Sequence, residues 1–256
     1  MQSSYKEYAR QLIKARLKQS RLKSINGVSI ITCTNKPHAL SNILDNYNRQ
    51  DYKEKELILI INNDEIDLEQ WLNKTKNYKN IDVYKLSEKT SLGHCLNFAV
   101  TKSKYNIIAK FDDDYYGPLY ISDTIQSFGD TDAMVIGKRS NFIYFVEKKI
   151  LGIRTPGNEN KFVEFANGST LVFKKEVFNT VRFRNLSLAE DDYFCRDCVK
   201  NNIKIYSTNK YHHVYFRHPN KEDHTWKIKD DEFIRRSCQI IGPVEDYISY
   251  ANNMNN

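Results

Sequence analysis

What this 256-residue chain lacks narrows its reading first. No apolar run approaches the roughly 20 residues that cross a bilayer, so a spanning helix is not expected. Residues 1–23 have no apolar core of the signal-peptide kind; export by that route is not expected, and a cytoplasmic setting is. The five cysteines are scattered and odd in number. Cys195 and Cys198 form a CxxC, but no second CxxC completes a zinc site, and the pair can share one helix face. A reducing compartment fits such thiols. Internal repeats and low-complexity linkers are missing as well, which favours one domain.

What is present fits a globular chain, with 40% hydrophobic and 12% aromatic residues. The net charge of +7 invites a nucleic-acid or membrane reading. Yet Lys, Asn, Ile and Tyr are abundant throughout, a bias that an AT-rich genome gives without any partner, and no nucleic acid is expected. The charge gathers in residues 1–27, at Lys6, Arg10, Lys14, Arg16, Lys18, Arg21 and Lys23, with Tyr5, Ala9, Leu12, Ile13 and Leu17 interleaved. This is a basic amphipathic helix. Through residues 1–24 it has three candidate partners: the inner face of an anionic membrane, its own domain, or a second copy in a homo-oligomer.

From Val28 the chain alternates between strand and helix patterns. The strands are VSIITCTN, ELILIIN, IDVYKL and the apolar run 105–111; the helices are HALSNILDNYNRQ with Pro37 in its first turn, DLEQWLNKTKNY and SLGHCLNFAVTKSK. Such alternation predicts an α/β fold, Rossmann-like, with a mostly parallel central sheet. Residues 121–235 read differently, as short β runs suggesting a smaller antiparallel part, plus a helix that opens at Glu190 and Asp191. The expected organisation is a domain over 28–235, divided into a nucleotide-type half (28–120) and an acceptor-type half (121–235), followed by a tail over 236–256.

Three clusters carry the chemistry. The apolar run ends abruptly in Asp112, Asp113 and Asp114, which cannot remain in a core unpaired. Side chains alternate along an extended chain, so Asp112 and Asp114 are expected to share a direction and Asp113 to differ. Two hard oxygen ligands suit Mg²⁺ or Mn²⁺ holding a diphosphate. Thr34, Asn62 and Asn63 stand with them at the carboxyl ends of strands, where such sheets bind ligands. The second cluster is Glu190-Asp191-Asp192, with the NGST stretch (Asn167, Gly168, Ser169) on the same acceptor side; Asp191 is the natural base for an attacking hydroxyl. The third is His218 and His224, with Lys227 a cation for a leaving phosphate. The adjacent His212 and His213 read as structural.

These residues, in this order, resemble the inverting GT-A glycosyltransferases of the bacterial "family 2" group, over roughly 28–229. VSIITCTNKP resembles the family's first strand and nucleotide loop, SLGHCLNFAV its helix before the metal-binding strand, AKFDDDYY its DxD motif and AEDDYF its acceptor-side ED motif. FDDDYY with a late HTWK (224–227) resembles small transferases of spore or cell-surface polysaccharides. The resemblance implies a single displacement with inversion, from a UDP-sugar to a glycan or glycoconjugate hydroxyl. Asp112 and Asp114 would engage Mn²⁺ or Mg²⁺ and the diphosphate, and His224 would approach from the C-terminal side. Asp113 would touch ribose or sugar, Thr32, Thr34, Asn62 and Asn63 would hold the nucleoside, and Asp191 would be the base. Two departures stand out. Asn62 and Asn63 replace the acid that often receives uracil N3, and Leu96 stands where a basic residue is common.

Two other classes fit parts of the sequence. A sugar nucleotidyltransferase also needs acids and a metal, but it wants a Gly-rich loop near the first strand, and VSIITCTNKP has no glycine. A non-catalytic basic module for an anionic polymer accounts for the charge and leaves both acidic clusters without a role.

Overall fold

A computed structural model describes residues 2–218 and 229–253. A long helix, α1 (Gln2–Lys23), precedes β1 (Val28–Thr34), β2 (Lys55–Ile61), β3 (Ile81–Lys85) and β4 (Ile107–Lys110). These four strands pair in parallel in the order β3-β2-β1-β4. The connections are α2 (Leu40–Arg49), α3 (Leu68–Thr75) and α4 (Leu92–Lys102). Strands covered on both faces are apolar throughout, and alternation sends successive residues to opposite cores. Ile30, Leu57 and Leu59 meet Ile43, Tyr47 and Trp71 on one side. Ile31, Ile58 and Ile60 meet Cys95, Leu96 and Ala99 on the other. Asp67 caps α3 by accepting from Glu69 N and Gln70 N, and Ser91 caps α4 by accepting from His94 N. Pro37 lies in a turn three residues ahead of α2, outside the helix's first turn where the sequence had suggested it.

The second half adds β5 (Tyr115–Tyr116), α5 (Tyr120–Asp130), β6 (Val135–Gly137), β7 (Asn141–Phe145), β8 (Ile150–Arg154), β9 (Lys161–Val163), β10 (Val172–Lys174), α6 (Glu190–Lys200), β11 (Ile205–Ser207) and β12 (His213–Arg217). Further along the chain come α7 (Asp230–Ser237), β13 (Cys238–Pro243) and α8 (Tyr247–Asn252). The large sheet continues as β4-β10-β6-β11-β9, and a second sheet runs β13-β8-β7-β12-β5. Most of these pairings are antiparallel, as the short runs suggested. Two are parallel, β6–β11 and β7–β12. Residues from 236 onward, expected as a tail, supply the edge strand β13 on β8 and a helix whose Asn252 donates to the Tyr115 hydroxyl at 2.8 Å.

The basic helix α1 packs on α5. Lys18 pairs with Asp130 at 2.9 Å, Arg21 donates to the Gly129 carbonyl, and Leu22 meets the core. Leu12, Ile13 and Leu17 stay exposed among its basic residues.

Candidate active site

Strand β4 ends at Lys110, and the chain bends through Asp113 and Asp114 before β5. The three carboxylates therefore go to different partners, instead of Asp112 and Asp114 sharing a direction as an extended strand would require. Lys110, whose side chain is 3% exposed, donates to both Asp112 oxygens at 2.6 Å. Asp113 pairs with Lys36. Asp114 is buried, accepting from Phe216 N at 3.2 Å and lying 3.4 Å from His213 Nε2.

The bend is held from α2 and β5. Asn42 and Asn46, one helical turn apart, donate to the carbonyls of Asp113 and Asp114 at 2.9 and 2.8 Å. The Tyr116 hydroxyl accepts from Asp112 N and donates to the Ser169 carbonyl, tying the triplet to the NGST loop. His213 is fully buried; its Nε2 also lies 3.3 Å from Ser169 Oγ, and its ring meets Tyr116 edge-on. Beyond its structural place, then, His213 links Asp114 to the acceptor side.

One cavity of about 1120 Å³ is lined by Thr32, Thr34, Asn62, Asn63, Asp112, Asp113, Asp114, Asn167, Gly168, Ser169, Glu190 and Asp191. Its remaining wall includes His218, Lys36, Lys110, Arg139 and Arg154. His224 and Lys227 lie outside the described residues. Beyond β1 and β2, Asn62 N donates to Thr34 O and Asn62 Nδ2 to Ser87 O, while Asn63 Nδ2 donates to Asn35 O. Thr32 Oγ1 and Asn167 Oδ1 are buried without a hydrogen-bond partner among the described residues. Buried polar atoms of that kind are uncommon, and both residues line this cavity, which is consistent with a polar ligand there.

Among the described residues, no group of three or more His, Cys, Asp and Glu side chains converges as a cage for a cation. Asp112 and Asp114 nonetheless fit the way Mg²⁺ is usually held, by one or two carboxylates with substrate phosphates supplying further oxygens.

The helix α6 begins with Glu190 and Asp191 after Ala189, whose φ of +62° turns the chain sharply. Glu190 is buried, and burial pushes its carboxyl up to about 7 against the opposing pull of Lys110. Burial alone would lower the Lys110 ammonium, but Asp112 first, and Glu190 and Asp191 behind it, hold it above its ordinary value. One lysine thus sits between the triplet and the acidic helix start. Gly168 explains the NGST loop: a Cβ there would lie 1.9 Å from Asp191 Oδ2, so only glycine lets the two segments approach.

Lys110, Asn42, Asn46, Tyr116, His213, Arg139 and Arg154 were not singled out for the site from sequence. Only the Asn42/Asn46 spacing of one helical turn carried a readable signal.

A nucleotide-type parallel half joined to a mixed second half, with an acidic cavity at the strand ends, defines a GT-A type of architecture. The family model for glycosyl transferase family 2 matches residues 29–185, and the chain belongs to that family. It is 30% identical over 167 residues to the O-antigen biosynthesis glycosyltransferase WbnJ of Escherichia coli, covering 61% of this chain and 65% of that one. Its fold matches S. aureus TarS 1-349 in complex with UDP-GlcNAc, with a TM-score of 0.62 at 17% identity, over 82% of this chain and 64% of that one. It also matches the mannosyltransferase PcManGT of Pyrobaculum calidifontis, in complex with GDP-Man and Mn²⁺, with a TM-score of 0.54 at 13% identity, over 75% of this chain and 56% of that one. The chain spans less than two thirds of the length of each of these relatives.

Two outcomes are expected. Gly168→Ala should push the Asp191 carboxylate aside and lower turnover on the order of a hundredfold, with circular dichroism unchanged; near-normal turnover would show that Asp191 tolerates displacement. Glu190 keeps its proton to about pH 7 when folded and to 4.5 when unfolded. Between those values the folded state binds more protons, so stability falls as pH rises. The stability of Glu190→Gln relative to the native protein should therefore grow by roughly 3 kcal/mol across that window in urea unfolding. A difference independent of pH would contradict the burial argument.

Proposed function

We propose that the chain is a metal-dependent, inverting glycosyltransferase. It moves a sugar from a nucleotide-diphosphate sugar, a UDP-sugar, to a hydroxyl of a glycan or glycoconjugate, in the synthesis of a surface or spore polysaccharide. The observation that carries this reading is the meeting of the Asp112–Asp114 triplet and the Glu190–Asp191 helix start on one cavity. WbnJ is a glycosyltransferase of O-antigen biosynthesis, TarS is seen with UDP-GlcNAc, and PcManGT is seen with Mn²⁺. These support the reaction class, the uridine donor and the divalent ion.

Thr32, Thr34, Asn62 and Asn63 would hold the nucleoside, and Asp113 the ribose or sugar. Asp112 and Asp114 would hold Mn²⁺ or Mg²⁺, which supplies positive charge to the diphosphate when bound. His224 and Lys227 keep the diphosphate-side roles that the resemblance implies. Asn167, Gly168, Ser169 and Glu190 shape the acceptor side. Asp191 would take the acceptor proton as that oxygen attacks the anomeric carbon; the bond to the diphosphate oxygen then breaks and its electron pair leaves with the nucleotide. Burial raises the Glu190 carboxyl to about 7, so it carries less negative charge beside Asp191 than an ordinary carboxylate would.

The basic α1, with Leu12, Ile13 and Leu17 exposed, would rest the enzyme on an anionic cytoplasmic membrane face.

Asp191→Asn should abolish transfer and leave UDP–Mn²⁺ affinity within about twofold of native in calorimetry; turnover near the native rate would dismiss Asp191 as the base. Removing residues 1–23 should cut co-sedimentation with phosphatidylglycerol vesicles and leave binding to neutral phosphatidylcholine vesicles low. Unchanged sedimentation would assign α1 to packing alone.

A further inference from the structure

The cavity wall carries a second pair of cations besides the lysines of the triplet. Arg139 follows β6 and Arg154 ends β8, and both line the wall. The second sheet brings them together. Arg154 is the register partner of Asn141, two residues beyond Arg139, and the Thr155 hydroxyl donates to the Arg139 carbonyl. Aromatic faces orient both forks: Arg139 Cζ lies 4.9 Å over the Phe165 ring, and Arg154 Cζ lies 5.4 Å over Phe233 and 5.9 Å over Tyr215. Lys36 and Lys110 are each taken by a carboxylate of the triplet, whereas Arg139 has no carboxylate within 4 Å among the described residues. Burial, with Arg139 adding to it, lowers the pKa of Arg154. Paired guanidinium groups in a partly desolvated wall repel one another, and an oxyanion taken by both would offset that repulsion.

We propose that Arg139 and Arg154 form an oxyanion subsite in the acceptor half, receiving a phosphate or carboxylate that the acceptor carries near its reacting hydroxyl. The assignment to the acceptor rests on the glycosyltransferase reading above. Position favours the acceptor over the donor diphosphate, the other source of the same chemistry. Asn167 of the NGST loop donates to the Arg139 carbonyl at 3.2 Å, while Asp112 and Asp113 have their own lysines.

Inorganic phosphate is the probe. Calorimetric titration of the full chain would follow phosphate with and without saturating UDP and Mg²⁺, and UDP separately, in the native protein, Arg139→Gln and Arg139→Lys. Phosphate should bind in both conditions, Arg139→Gln should weaken it by about tenfold while leaving UDP affinity within about twofold, and Arg139→Lys should recover part of the loss. No phosphate binding, displacement of phosphate by UDP, or equal weakening of both ligands in Arg139→Gln would overturn the subsite. The last two results would give the arginines to the donor diphosphate. If UDP fails to bind while phosphate binds with the same dependence on Arg139, the donor reading falls and the anion subsite stands.

Discussion

The Lys110–Asp112 ion pair is the contact on which the arrangement of the cavity depends. Lys110 is the last residue of a strand buried on both faces, and its ammonium reaches out of the core to the first acid beyond the strand. Lys110 is nearly fully buried, so removing Asp112 would leave its charge uncompensated. The pair therefore fixes where the triplet begins. Around it the chain bends, Asn42 and Asn46 hold the bend by its carbonyls, and Tyr116 ties it to the loop beside Asp191. Lys110 also faces the acidic start of α6, so a single cation balances acids brought together from two halves of the chain.

Much of this was legible in sequence, and the illegible part has physical causes. The four parallel strands stood out because burial on both faces leaves near-continuous runs of Ile and Leu. The triplet and Glu190–Asp191 stood out because acids directly after apolar runs must leave the core. Lys110 was hidden for the opposite reason, as a lone polar residue in a strand pattern. Asn42 and Asn46 looked like the wet face of an ordinary amphipathic helix. His213 meets Asp114 only through the pairing of β12 with β5, a contact about a hundred residues apart in sequence. Arg139 and Arg154 lie beside strands too short for their register to be read from a pattern, and the role of residues 238–243 as an edge strand is equally non-local.

The two halves of the cavity differ in how their charge is balanced. On the donor side, lysines already hold Asp112 and Asp113, so a diphosphate with its divalent ion would enter a site of prearranged carboxylates and amines. In the second half, burial raises the Glu190 carboxyl to about 7 and Gly168 packs against Asp191, which on the proposed reading would take the acceptor proton. In the proposed mechanism, Asp191 and the departing diphosphate would stand on opposite faces of the anomeric carbon, as a direct displacement requires.

The stereochemistry of transfer tests that claim most directly. Proton NMR can follow the sugar first released to water from α-linked UDP-N-acetylglucosamine or UDP-glucose, before mutarotation. A single displacement with Asp191 as base predicts the β-anomer as the initial product. Initial release of the α-anomer would contradict it and require a second displacement or a front-face mechanism.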